Sequence, residues 1–327
     1  MSRSTLALLL ATLAGLAIAV VAIGQVGLAP VLAAVGRIGW PGFGALVAYS
    51  LVPLALLGAA WWACAPAPRP GPARFAWART VREGATDVLP FAQFGGLLVG
   101  ARALTSAGVG TADAWASMVA DLSTELAAQL VFTLYGVGAL ALALSGHGDA
   151  ARLWPIIGVG VVASVSILSA FLAFQRPMLR LAGGLAERVL PGAATTTTGV
   201  ADALAVIYAR RTGVAVAFAL NLVAWIASAG GAWLALMLMH VPAALWAVLT
   251  IEALIFTLRS AAFIVPGALG LQEAAYALIG PIFGLDPATA LGLSLIKRAR
   301  DLAIGVPALL LWQAGESRRL LSRPRRG

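Results

Sequence analysis

Long apolar runs, separated by short connections rich in proline, glycine and arginine, set the plan of this chain. A helix needs about 20 apolar residues to cross the hydrocarbon of a bilayer. The first such run extends from Leu6 to Gly24, behind Arg3; it is too long for a signal-peptide core and no small-x-small cleavage site follows, so it predicts an uncleaved helix. A second run opens at Trp40-Pro41 and closes at Trp61-Trp62, aromatic residues suited to a membrane interface, with Pro53 placed to kink it. Residues 113–145 predict a long helix on which Asp121, Glu125 and Gln129, four residues apart, form one polar stripe facing protein or water. Further spans follow at 153–174, 214–239 and 243–263, the last two turning at His240-Val241-Pro242, and a final helix runs from Pro287 to Trp312.

Two segments break this pattern. LPFAQFGGLLVGARAL, from Leu89, is short for a span and holds Pro90, Gly95, Gly96 and Arg102. Pro266, Gly267 and Gly270 interrupt the chain between Arg259 and Glu273. Proline removes a backbone donor and glycine loosens a helix, so both segments predict helix breaks at membrane depth, re-entrant or half-inserted. If both are re-entrant there are about seven spans, and the basic tail falls opposite the two basic connections. Cationic loops concentrate on the cytoplasmic side; letting 264–283 cross gives about eight spans with both termini in the cytoplasm. The fold expected is therefore an all-α polytopic membrane protein of about eight helices, with one or two broken segments.

Composition supports that class. Of 327 residues 61% are hydrophobic and 11% charged, with a mean hydropathy of +0.94, more apolar than a soluble domain needs. The whole chain forms a single transmembrane domain. Its net charge of +9 comes from 22 bases against 13 acids, clustered in short stretches: a connection at 63–88 with Arg69, Arg74, Arg79 and Arg82, expected as an amphipathic helix on the cytoplasmic surface; a second at 175–212, with Thr195 to Thr198 expected as loop; and the tail from 315. Bases flanking apolar spans meet lipid head groups, which excludes nucleic acid as a partner. One cysteine, Cys64, excludes an internal disulfide. His147 and His240 are isolated and make no metal site. No P-loop, dinucleotide fingerprint or nucleophile elbow is present, so no cofactor is expected and any transport is passive, ion-coupled or driven by a partner.

The stretch from Glu252 to Asp301 concentrates the candidate chemistry. A charge at mid-membrane costs about 2.5–3.5 kcal/mol on insertion scales, so such residues pair, face a wet cavity or contact a polar ligand. Glu273, three residues past Gly270, stands where a new half-helix begins, within reach of its positive end, a buried arginine or a head group. Lys297, Arg298, Arg300 and Asp301 form a cluster that either snorkels to the interface, pairs internally, or holds the phosphate or polyol of a lipid through the arginine fork. Gln272 and Arg259 complete the candidate substrate contacts, while Asp121, Glu125, Arg102 and Glu252 are expected in a buried polar network.

Segments 90–132 and 266–308 share a plan of proline, glycine-rich break, short apolar helix, glycine turn and charged helix. GVGTADAW from Gly108 aligns without gaps on GLDPATAL from Gly284, and the same offset sets Asp121 against Lys297 and Glu125 against Asp301. This predicts repeat halves 1–175 and 210–315, an organisation that places transport sites at the repeat interface.

PGALGLQE, the glycine turn, the KRARD helix and LPFAQFGGLLVGARAL together resemble the flippase-like membrane proteins related to the transmembrane region of lysylphosphatidylglycerol synthase, over most of the chain. RSAAFIVPGALGLQE and LSLIKRARD resemble most the subgroup associated with hopanoid biosynthesis. The resemblance implies a lipid translocator or lipid-transport component of a bacterial inner membrane, with membrane lipids and hopanoid-synthesis or lipid-transport proteins as partners. A hopanoid polyol is the implied substrate, then an anionic or isoprenoid-linked lipid. The synthase's soluble aminoacyl-transferase domain has no counterpart here, so enzyme activity is not expected. The alternatives are a lipid-modifying enzyme using Glu273 or Asp301 as base, and a scaffold for lipid-synthesis enzymes.

Overall fold

Apolar runs become helices wherever the chain can satisfy its own backbone. The computed structural model describes residues 28–88, 92–145, 193–261 and 270–321, with isolated helical positions between 158 and 173. The run 6–24, Pro90, His147, the span 153–174 as a whole, Arg176 to Arg188, Pro266, Gly267 and the tail from 322 lie outside the described residues. Within them are ten α-helices and no strand: α1 (Leu28–Gly36), α2 (Gly39–Cys64), α3 (Pro72–Val88), α4 (Ala92–Ser106), α5 (Thr111–Ser145), α6 (Ala193–Ala209), α7 (Arg211–Leu238), α8 (Leu245–Ala261), α9 (Leu271–Ile279) and α10 (Pro287–Leu321), with a 3-10 turn at Gly280–Phe283. Three of them, α2, α5 and α7, are long and apolar enough to cross a membrane. α2 runs unbroken through Pro53.

The first correction concerns α3. It does not lie on the surface: it packs against α2, α4 and α10, and Phe75, Ala78, Val81 and Ala85 are buried. Arg79 and Arg82 are buried with them, because at helical spacing they fall on the stripe of Phe75 and Ala78 and not opposite it. Residues 195–198 are not loop either; they belong to α6. Threonine is a modest helix former, but the helix continues into Val200, Leu204 and Ile207, which bury against Ala116 and Ala120 of α5, and that packing outweighs the local preference.

Small residues let these helices approach. Lipid tails are as apolar as leucine, so association of membrane helices rests on close packing. A Cβ at Gly58 of α2 would stand 2.3 Å from Ala76 Cα of α3, and one at Gly84 of α3 would stand 2.8 Å from Gly305 Cα of α10. Gly95 and Gly96 do not break a helix; both lie inside α4, where a Cβ on Gly96 would meet Arg82 O at 2.8 Å. Gly58→Ala forces backbone apart, and we expect it to destabilise the detergent-solubilised protein by about 1–3 kcal/mol. An unchanged thermal midpoint would mean that α2 and α3 do not meet there.

The two long helices at aligned positions, α5 and α10, each have 35 residues. Each follows a glycine of positive φ, Gly108 at +95° and Gly284 at +84°, where any other residue is strained. α10 is capped by Asp286, which accepts Thr289 N–H at 3.0 Å. It also extends past Trp312, so that Arg318 and Arg319 are helical. At that end Arg102 is not part of a buried network: its side chain is 49% exposed and pairs with Glu316. Hydrogen bonds from Arg102 hold the Glu316 carboxyl below its usual range. Ser106 adds a bond to Glu316 at 2.9 Å, tying α4 to the end of α10.

Candidate functional site

Seven helices enclose a cavity of about 400 Å³ lined by charged side chains. α3 contributes Arg79, Arg82, Glu83 and Asp87; α5 contributes Glu125 and Gln129; α8 contributes Arg259; and α10 contributes Lys297, Arg300 and Asp301. Apolar wall comes from Leu54 and Leu57 of α2, Leu97 of α4, Trp225 of α7 and Phe256 of α8. Pro53 lines it too, and because proline lacks an N–H the carbonyl one turn earlier loses its helix partner there.

On the first side an ion cluster joins α3 to α5. Arg79 reaches Glu125 at 2.5 and 3.0 Å and Asp121 Oδ2 at 3.1 Å, and its Nε lies 2.9 Å from Glu83 Oε1. Arg82 shares the same acids, at 3.1 Å to Asp121 Oδ2 and 3.3 Å to Glu125. Trp61 stands beneath it, its ring centre 5.8 Å from the Arg82 guanidinium and its indole N–H donating to Ser117 at 3.1 Å. One arginine fork serving two carboxylates is geometry that lysine cannot reproduce.

On the opposite side α8, α9 and α10 meet at a second buried cluster. Lys297 pairs with Glu252, Tyr276 donates to the same carboxylate, and Lys297 Nζ lies 2.8 Å from the Tyr276 oxygen. Glu252, Tyr276 and Lys297 are all buried. Between the two clusters lie the wetter pairs. Arg300 holds Asp301 at 2.6 and 3.0 Å, while Arg259 stands off from Asp87 at 3.7 Å, joining α8 to α3.

Internal pairing of the KRARD cluster holds for Arg300 with Asp301, whereas Lys297 turns to Glu252 and Arg298 to Glu273. Side chains at consecutive positions point to different helix faces, so one cluster in sequence serves three sites in space. Of the expected substrate contacts, Lys297, Arg300, Asp301 and Arg259 reach the cavity, whereas Glu273, Arg298 and Gln272 are not among its lining residues. Glu273 instead accepts Gly270 N–H at 2.8 Å and Arg298 Nε at 3.0 Å, which caps α9 at its start. Gln272 donates to Ser294 at 2.9 Å. Asp121, Glu125 and Glu252 are buried polar partners as the stripe on α5 and the charge on α8 predict.

Sequence reasoning missed Arg79, Arg82, Glu83 and Asp87, assigning them to a surface helix. The signal was present: Phe75, Arg79, Arg82 and Thr86 step by four, three and four, so the arginines share the apolar stripe. Among the described residues no group of three or more His, Cys, Asp or Glu is arranged to hold a metal.

Comparison with known families finds that the model for the lysylphosphatidylglycerol synthase TM region matches residues 5–308. No curated protein and no solved structure matches the chain.

Proposed function

We propose that this chain, which belongs to the family of the lysylphosphatidylglycerol synthase TM region, carries the polar head of a membrane lipid through its charged cavity while the hydrocarbon stays in the bilayer. Membership makes it a membrane protein linked to lipid metabolism or transport. The finer reading is translocation across a bacterial inner membrane, by a chain of about eight spans built from two repeat halves with cytoplasmic termini.

The observation that carries the reading is the charge pairing of the cavity. Each cation on its wall already faces an acid: Arg79 and Arg82 face Asp121 and Glu125, Arg259 faces Asp87, Lys297 faces Glu252 and Arg300 faces Asp301. An anionic head would have to displace an acid from its base, and at Arg79, Arg82 and Lys297 that means breaking a desolvated pair, which is costly. A neutral head with several hydroxyls donates to the acids and accepts from the bases while the pairs persist, and so satisfies polar groups that would otherwise lack partners in the membrane. This favours a polyhydroxylated head, of which a hopanoid tetrol is the type, over a phosphate-only head.

The test is movement of labelled lipid between leaflets of liposomes holding purified protein. We expect faster movement of a polyol-headed lipid than of an anionic phospholipid. Asp87→Asn and Arg259→Gln, at the loosest pair of the wall, each lose about one charged hydrogen bond, roughly 1.5 kcal/mol or tenfold in rate. Folded protein that moves no lipid faster than empty vesicles would end the reading.

A further inference from the structure

Away from the cavity, α2 and α7 run antiparallel and leave the bilayer together. A Cβ at Gly42 of α2 would stand 3.5 Å from Leu238 Cβ of α7, and one at Gly213 of α7 would stand 3.0 Å from Ala63 O of α2. Both helices are long and apolar enough to cross a membrane, so residues 63–69 and 210–213 meet at the depth of the lipid head groups. Trp62 marks the same level, tryptophan being enriched at membrane interfaces.

Two arginines converge there on one oxygen. Arg69 Nη1 donates to Ala65 O, and Arg210 Nη1 donates to the same oxygen at 3.1 Å. The Arg69 guanidinium also lies 4.0 Å from the centre of the Trp62 ring, a cation–π contact. The Trp62 indole is fixed in turn by donating to Pro70 O at 3.0 Å. The fork of Arg69 is therefore held in place with one of its five donors engaged on the protein.

Capping of α2 does not account for both cations. A helix C-terminus carries about half a negative charge, which one guanidinium already outweighs. The second adds a full positive charge beside the first, and no carboxylate answers either of them among the described residues. Elsewhere the bundle pairs its buried and half-buried arginines: Arg79 and Arg82 with Asp121, Arg259 with Asp87, Arg298 with Glu273 and Arg300 with Asp301. Half-buried Arg69 faces another cation instead. Burial and then the charge of Arg210 hold it below the usual arginine range.

We propose that Arg69 and Arg210 clamp a phosphate-bearing anion at the α2–α7 corner, with the head of an anionic phospholipid as the source that its depth favours. Two guanidinium forks match the oxygens of one phosphate, and charge-assisted bonds of this kind are among the strongest that side chains make. Neither arginine lines the charged cavity, so the site stands whether or not the cavity moves lipid. In the cavity, paired cations disfavour an anionic head; at this corner, two cations without an acid call for one.

Purified protein in neutral detergent tests the site without a transport assay. Thermal midpoints are read as phosphatidate, phosphatidylcholine or inorganic phosphate is added at constant ionic strength. A ligand bound only by the folded state raises the midpoint, and we expect phosphatidate to do so and phosphatidylcholine not to. Arg69→Gln and Arg210→Gln each leave the other arginine on Ala65 O, so α2 stays capped. Each is expected to raise the phosphatidate concentration for half the effect about fivefold, the factor for one arginine charge at the head-group layer. Arg211→Gln removes an exposed neighbouring charge and is expected to leave that concentration unchanged. Inorganic phosphate that stabilises as well as phosphatidate, and loses its effect in the same two variants, would keep the site and make the free ion its occupant. No rise with either ligand would overturn the proposal, as would a rise untouched by both variants. An equal loss in Arg211→Gln would also overturn it, by showing attraction to general surface charge only.

Discussion

Lys297→Met alone is expected to cost about 3–5 kcal/mol of stability, the range for stranding one partner of a buried ion pair. Glu252 is buried and receives two donors, Lys297 and Tyr276. Without the lysine its carboxylate keeps one hydrogen bond and no counter-charge in a low-dielectric interior. The double change Glu252→Gln with Lys297→Met removes both charges, leaves the Tyr276 hydroxyl a side-chain acceptor, and is expected to recover all but about 1 kcal/mol, since replacing both partners avoids the stranded group. Unfolding of detergent-solubilised protein, compared across the two single variants and the double, measures the coupling. A double variant no more stable than Lys297→Met would show that packing around the lysine stem, and not its charge, holds α8 to α10.

The second large effect is expected at Arg79. Its fork satisfies Asp121 and Glu125 at once, with Glu83 at its Nε. Arg79→Leu leaves Arg82 alone to face all three acids, and Arg82 makes only the longer contact to Glu125, at 3.3 Å. We expect a loss of about 3–5 kcal/mol, and Arg79→Lys to recover less than half of it because an ammonium cannot reach two carboxylates bidentately. Full recovery by lysine in the same thermal assay would reduce the role of Arg79 to point charge. The buried arginine also explains why α3, with five charged residues in 17, sits inside the bundle: its two buried arginines are neutralised by acids of α5.

The two ion clusters mirror each other with signs exchanged. Asp121 on α5 and Lys297 on α10 occupy aligned positions in helices of equal length, and each finds its opposite charge on an earlier helix, Arg79 on α3 and Glu252 on α8. A pair of opposite charges can be inverted without changing its Coulomb attraction.

Much of this was legible from the order of residues alone. Apolar length gave α2, α7, α8 and most of α5 and α10, because a backbone without water must close its hydrogen bonds within the segment. The stripe Asp121, Glu125, Gln129 announced a protein-facing side of α5, and isolated charges in apolar runs announced partners. Which partner each charge took was decided only by tertiary structure. Lys297, Arg298 and Arg300 are neighbours in sequence, but at about 100° of rotation per residue along α10 they meet Glu252, Glu273 and Asp301 separately. Composition alone placed α3 at the surface, since five charges in a short helix usually mean water. The bundle buries it because α5 supplies the opposite charges, contacts between residues some 40 positions apart that no local pattern encodes.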